Sequence, residues 1–152
     1  MLKNKILIIF TMIFLTSCEY KPIYSEANKT RFEILITKIS GDKSVNKFLV
    51  ENIKRNSQKE SSETINIEIN TQYTKIIVAK DTAGNVTDYQ AQAITSFLIN
   101  KNQTSKTFTV KEKFNFQKLS DKYEEKGYEK NIKKNLAASI AQKLIFRLSI
   151  VE

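Results

Sequence analysis

The chain has none or few of the residue types on which many familiar sites depend. It has no histidine and no tryptophan, and its 152 residues include one cysteine, one proline and three glycines. Without histidine, Ser–His–Asp triads, Cys–His dyads and ordinary zinc sites are excluded. So few glycines exclude the Gly-rich loops that cradle phosphates. A catalytic pair of carboxylates acting on the cell wall remains open, but we do not expect an enzyme.

The first residues are typical of an export signal. Two lysines among the first five residues precede an apolar run over residues 6–15. This arrangement fits a secretory signal, and the run is shorter than the roughly 20 residues of a membrane-spanning helix. It ends in Leu-Thr-Ser-Cys at Cys18, which matches the lipobox of bacterial lipoprotein signals. We therefore predict cleavage between Ser17 and Cys18, after a thioether to diacylglycerol has formed on Cys18.

Lipidation accounts for the single cysteine better than the alternative, an unpaired or disulfide-bonded thiol. Cys18 has no second cysteine with which to form an intramolecular disulfide, and a lone free thiol is unusual in an exported protein. No cofactor is expected beyond the covalent diacylglycerol and N-acyl chain on Cys18. The predicted organisation is a signal peptide over 1–17, a lipidated tether over 18–30 and one α/β domain over 31–152.

The predicted cellular location and the net charge of the chain limit the molecules that it can bind. Glu19 follows the cysteine, whereas Asp at this position commonly retains lipoproteins in the inner membrane, so we expect lipid anchoring to the outer membrane on its periplasmic side. The formal charge of +9 falls by two when the signal lysines leave. Export removes nucleic acid as a partner and leaves anionic lipid, lipopolysaccharide and cell-wall polymers. Alternatively, the lysine excess reflects only the codon bias of an A/T-rich genome.

Hydrophobic periodicity predicts four strands and two helices. The strands cover residues 32–39, 64–78, 89–99 and 108–116, with turns at 81–85 and 100–106. The helices cover residues 45–56 and 122–148, the first capped by Asp42 or Ser44. Glu112 lies on the same face of the last strand as its apolar residues. The order β-α-β-β-β-α predicts an α+β fold, a two-layer α/β sandwich in which two helices cover one face of a four-stranded, mostly antiparallel sheet.

Several segments, in order, resemble the lipopolysaccharide-assembly lipoproteins (LptE). Residues 18–24 read Cys-Glu-Tyr-Lys-Pro-Ile-Tyr, similar to the family's usual Cys, Gly, Phe, basic residue, Pro, Leu, Tyr. Glu replaces Gly, Tyr replaces Phe and Ile replaces Leu. The helix at 45–56 and the hairpin around 81–91 look like the family's first helix and central hairpin. Residues 135–144, followed by Arg-Leu at 147–148, are similar to its closing helix. The resemblance spans nearly the whole chain.

The resemblance implies a role in lipopolysaccharide transport. Such proteins plug an outer-membrane β-barrel, LptD, assist its assembly and help to deliver lipopolysaccharide to the outer leaflet. The expected partners are therefore the barrel, lipopolysaccharide and the membrane. Lys80, Lys101 and Lys106, at the hairpin ends, are candidates for binding lipid A phosphates through charge-assisted hydrogen bonds; otherwise they are solvated loop charges. The alternative function is another lipid-binding periplasmic lipoprotein, part of a transporter without a barrel partner.

Overall fold

The computed structural model describes residues 32–57, 61, 63–101 and 104–150. The predicted signal peptide, Ser17, Cys18 and the tether lie outside the described residues. Four strands and two helices follow in the predicted order, which confirms the α+β fold. Their bounds are β1 Glu33–Gly41, α1 Lys43–Asn56, β2 Thr64–Lys80, β3 Val86–Lys101, β4 Thr104–Gln117 and α2 Lys122–Ile150. Neither helix in these ranges is long and apolar enough to cross a membrane.

The strands form one mixed sheet in the order β1-β2-β3-β4. Strand β1 is parallel to β2, and the two later pairs are antiparallel. A parallel pair needs a crossover between its strands, and α1 provides it. The β1–β2 pairing begins at Glu33 opposite Thr64 and ends at Gly41 opposite Thr71. Beyond Thr71, β2 continues to Lys80 with β3 as its only neighbour among the described residues.

The predicted turn at 100–106 is wrong in its length. Strand β3 continues to Lys101, and β4 resumes at Thr104. The ladder pairs Asn100 with Ser105 and Lys101 with Thr104, and the Ser105 hydroxyl donates a hydrogen bond of 2.6 Å to the Asn100 side chain. Asn and Lys are depleted in strands, but cross-strand contacts outweigh such weak preferences.

The core lies between one face of the sheet and both helices. Alternate residues of the two central strands point into it, and α1 and α2 pack against each other on that face. The fully buried side chains include Val45, Leu49, Ile53, Ile67, Ile69, Ala91, Ala93, Phe97, Ile140 and Leu144. Thr71 and Thr95 are buried among them, and their hydroxyl oxygens lie 2.9 Å apart, so each satisfies the other.

The junction between β1 and α1 depends on Gly41. Its φ of +92° lies in the left-handed region, and a Cβ built on it would lie 1.8 Å from the Thr71 carbonyl oxygen. The next amide, that of Asp42, donates a hydrogen bond of 2.8 Å to the same oxygen. The Asp42 carboxylate then accepts from the Val45 amide at 2.8 Å, so Asp42, rather than Ser44, caps α1.

Glu112 lies on the core-facing side of β4, as its position in the apolar alternation predicts. It is paired in the ladder with the buried Ala93, and its carboxylate forms an ion pair with Lys143 of α2. A carboxylate directed toward a helix-covered face needs such a partner, because burial without one is costly.

Candidate functional site

A cleft of about 360 Å³ opens at the end of the sheet where β3 leads into β4 and α2 ends. Apolar side chains and cations both line it. The apolar ones are Ile65, Ile99, Phe108 and Leu148, and the cations are Lys101, Lys106 and Arg147. We call this feature the basic cleft. A surface that combines hydrocarbon with positive charge is complementary to an anionic amphiphile, which carries both an acyl chain and a negative headgroup.

The three cations differ in their contacts. The Lys101 ammonium lies 2.7 Å from a carboxylate oxygen of Glu63. The Arg147 guanidinium lies 5.4 Å from the centre of the Phe108 ring, a cation–π distance. Within the described ranges, no carboxylate forms an ion pair with Lys106 or Arg147. These two charges are therefore available to a bound anion, whereas Lys101 would first have to release the Glu63 carboxylate.

The chain enters the domain beside this cleft. The Glu33 amide, at the start of β1, donates a hydrogen bond of 2.8 Å to the Glu63 carbonyl. The Glu63 side chain in turn contacts Lys101. Any anchor attached through the residues before Phe32 therefore joins the domain at the same end of the sheet as the basic cleft.

The structure brings together two of the three candidate lysines. Lys101 and Lys106 both line the cleft, on the two strands of one hairpin. Lys80 lies at the opposite end of β2, exposed beside the turn between β2 and β3. The predicted cleavage and lipidation site, Ser17 and Cys18, lies outside the described residues.

Arg147 and the apolar floor of the cleft were not among the candidate residues predicted from the sequence. Arg147 comes 41 residues after Lys106 in the chain, and only the packing of α2 across the sheet brings both to one cleft. Spacing in the sequence carries no signal for such a contact. The sequence indicates only that Arg147 is a cationic residue in the last turn of a helix.

A second polar cluster joins α2 to the middle of β2. Lys75 lies 2.7 Å from Glu125 and 3.4 Å from Glu129, and 4.1 Å above the ring of Tyr89. The Tyr73 hydroxyl donates to Glu129 at 3.0 Å. We call Lys75, Glu125 and Glu129 the helix–hairpin clamp.

The pKa shifts of Lys75 and Glu125 favour the charged forms of both side chains. Burial alone would lower the pKa of Lys75, but the hydrogen bond to Glu125 and the charge of Glu129 raise it above its ordinary value. The hydrogen bond from Lys75 lowers the pKa of Glu125. Burial, followed by the nearby Glu129 carboxylate, raises the pKa of Tyr73, so its phenol stays protonated and remains a donor. The cluster therefore serves to hold α2 on the hairpin.

The described residues contain no group of three or more Asp, Glu or Cys side chains that could hold a metal ion. The cleft itself contains no carboxylate or thiol among its lining residues. Its side chains are suited to binding through charge and apolar contact.

Known proteins share this fold without close sequence similarity. No protein-family model matches the chain, and no curated protein matches it. The solved structure of rare lipoprotein B from Shewanella oneidensis is similar over 75% of this chain and 98% of its own, with a TM-score of 0.55 and 12% identity.

A second solved structure, lipoprotein B from Nitrosomonas europaea, covers 77% of this chain and 84% of its own, with a TM-score of 0.52 and 11% identity. A protein from Caulobacter crescentus covers 76% of this chain and 88% of its own, with a TM-score of 0.56 and 10% identity. At these identities the likeness is one of fold.

Proposed function

We propose that this chain is a lipid-anchored outer-membrane protein of the lipopolysaccharide translocon. In this role it plugs a β-barrel partner, assists the barrel's assembly and helps to deliver lipopolysaccharide to the outer leaflet. The work is recognition, without the making or breaking of bonds. The observation that carries the proposal is the basic cleft, in which Lys106, Arg147 and Lys101 surround an apolar floor.

The chemistry of the cleft fits part of a lipopolysaccharide molecule. The phosphates of lipid A would accept charge-assisted hydrogen bonds from the guanidinium and the ammonium groups. An acyl segment would cover Ile65, Ile99, Phe108 and Leu148. Because about 360 Å³ is near the lower limit for ligand pockets, the cleft would hold a phosphate and the adjoining hydrocarbon, while most of the lipid lies outside it.

The proposed lipid anchor would hold the domain by the end of the sheet at which the basic cleft lies. Lipidation at Cys18, as the lipobox predicts, would tether the domain through residues 19–31, and these join it beside the cleft. Solved structures with the same fold include two whose names describe them as lipoproteins, which is consistent with such an anchor. Acyl chains contribute about 0.8 kcal/mol for each buried methylene, so several chains would give lasting attachment.

Direct binding to lipopolysaccharide tests the role of the cleft. The full-length chain in detergent would be titrated with purified lipopolysaccharide, and its affinity compared with that of Arg147→Glu and Lys106→Glu. The matched control is Lys113→Glu, which makes the same charge change on the opposite face of β4. Each cleft variant should weaken binding by about tenfold or more, because a charge-assisted hydrogen bond contributes about 1.5–3 kcal/mol. Equal weakening by all three variants would show that only overall charge matters.

The second candidate function is a lipid-binding lipoprotein of a transporter that has no barrel partner. The same cleft favours it, because anionic amphiphiles other than lipopolysaccharide have the same two features. Membrane fractionation separates the two functions. The translocon subunit should lie in the outer membrane together with a β-barrel, whereas the alternative predicts an inner-membrane location or the absence of such a partner.

A further inference from the structure

The sheet has a bare edge at the end opposite the basic cleft. Strand β1 covers the outer side of β2 only as far as Thr71. Residues Gln72–Val78 continue the strand, and their outer side has no neighbouring strand among the described parts of the chain. We call this stretch the distal edge. It presents unpaired backbone N–H and C=O groups, which are complementary to another extended backbone.

The distal edge is less protected than the other edges of the sheet, because its one lysine, Lys75, is held by two carboxylates of α2 and its register shift lies only at its far end. Strand β4, at one side of the sheet, has exposed lysines at 106, 111 and 113. Strand β1, at the other side, is interrupted by a register shift between Ile36 and Lys38. Lysines and bulges are the usual means by which natural edges avoid pairing with other chains. The distal edge instead exposes Ile76, Ile77 and Val78, at 45%, 50% and 48% of their surface.

The structure also holds this edge in place. The one charged side chain within it, Lys75, is engaged by Glu125 and Glu129 on the helix-covered side. The adjoining turn is fixed by Asp81, whose carboxylate accepts from the amides of Ala83 at 2.9 Å and Asn85 at 2.8 Å. A strand docking here would therefore meet an already ordered backbone, and the edge itself would lose little further conformational entropy.

We propose that the distal edge binds an extended, uncharged strand of a partner protein, which adds to the sheet in line with β1. The position of the new strand follows from the β1–β2 ladder, because the strand would begin where Gly41 turns the chain away from β2. The unpaired backbone groups indicate that the partner segment is extended, and the exposed isoleucines indicate that its side chains are uncharged. A register shift in the β2–β3 ladder after Ile77 limits the regular edge at its far end.

Charge and geometry favour a partner protein over other occupants. A second copy would bring together two chains of the same positive net charge, which is +9 for the whole sequence and two less after the predicted loss of the signal lysines, and like net charges repel. The N-terminal residues of the same chain join the domain at Phe32, beside Thr64, which is the opposite end of β2, so they would have to fold back along the sheet to reach the distal edge. The proposed surface is separate from the basic cleft, so it stands or falls independently of lipid binding there.

Site-specific photo-crosslinking in intact cells tests the proposal. A photoreactive residue would be placed at Gln72, Thr74 or Ile76 of the full-length chain, positions that share one face of the strand. The matched controls are Thr109, Lys111 and Lys113, which have the same spacing on the β4 edge and lie outside the lining of the basic cleft. The adducts would be mapped by mass spectrometry to the residue of the partner that each position labels.

Strand addition predicts a register that a general contact would not give. The three distal positions should label one protein, at sites that advance by two residues for each step of two along β2. The variant Ile76→Lys should reduce the adducts from Gln72 and Thr74 by about tenfold or more, because it places an unpaired charge in the new strand pair. Ile76→Val should leave them unchanged.

Four results would overturn the proposal. The first is labelling no stronger than that from the β4 controls, and the second is labelling of a second copy of this chain. The third is labelling of its own residues 19–31, and the fourth is a scatter of adducts without register. Titration of the Ile76→Lys variant with lipopolysaccharide shows whether a failure concerns strand binding at the distal edge or lipid binding at the basic cleft. The variant should bind lipid as the unaltered chain does, even if the crosslinks fail.

Discussion

Replacing Gly41 with alanine should destabilise the domain more than the same change at either of the other two glycines. A Cβ at this position would lie 1.8 Å from the Thr71 carbonyl oxygen and 2.7 Å from its carbon, and both of these are backbone atoms. The φ of +92° adds a conformational cost of about 1–2 kcal/mol for a residue with a side chain. Relief of the overlap requires β1 and β2 to separate.

That separation would also break a hydrogen bond. The Asp42 amide donates to the same Thr71 oxygen at 2.8 Å, and leaving a buried backbone group without a partner costs about 1–3 kcal/mol. Together these effects predict a loss of about 3 kcal/mol or more for Gly41→Ala. This is a large fraction of the roughly 5–15 kcal/mol by which small domains are stable.

The other two glycines provide matched controls for the same atom change. Gly84 has a φ of +84°, but a methyl group added to it would have no atom within 4 Å, so Gly84→Ala should cost only the conformational term, about 1–2 kcal/mol. Gly127 lies within α2 with open space around it, so Gly127→Ala should stabilise by about 0.5–1 kcal/mol. Urea unfolding followed by circular dichroism would measure all three. A loss at Gly41 no greater than at Gly84 would refute the argument from close contact.

The remaining predictions concern the buried hydroxyl pair, the clamp and the buried face of α2. Thr71→Val should cost about 1–3 kcal/mol because it leaves the Thr95 hydroxyl without its partner, whereas the Thr71→Val, Thr95→Val double variant should recover most of that loss; chemical denaturation of all the variants would show whether it does. The pKa of Glu125 is lowered from 4.5 in the folded state. Its contribution to the free energy of unfolding is therefore present above about pH 4.5 and is lost as the pH falls through the lower pKa of the folded state. Lys75→Met should therefore flatten the acid side of the stability–pH profile, and an unchanged profile would remove Lys75 as the cause. Leu144→Ala, at a fully buried position of α2, should cost about 2–5 kcal/mol by thermal or urea unfolding, while Phe146→Ala, 67% exposed on the same helix, should cost far less.

Local patterns were sufficient to predict the elements of this fold. The alternation of isoleucines after Glu63 indicates β2, and the four-residue recurrence up to Leu148 indicates α2. The turn at 81–85 follows from its Asp, Gly and Asn. Each of these signals lies within a short stretch of chain, where the side-chain period is set by the backbone geometry of strand or helix.

The pairing of β1 and the composition of the cleft could not be predicted in this way. Whether β1 lies beside β2 or β4 depends on contacts between residues far apart in the chain, about which periodicity says nothing. The end of β1 at Gly41 is also a tertiary effect, because it depends on the Thr71 backbone. Lys101 and Lys106 were found by their position at a hairpin end, but Arg147 joins them only through the packing of α2.

Co-purification from the outer membrane tests the proposed function most directly. The full-length chain, tagged at its C-terminus, would be recovered from detergent-solubilised outer membranes and its companions identified and quantified. The proposed function predicts one large β-barrel protein in near-equal amount, with lipopolysaccharide bound, and less lipopolysaccharide retained by Arg147→Glu than by Lys113→Glu. Recovery of the chain from the inner membrane, without a barrel, would contradict it.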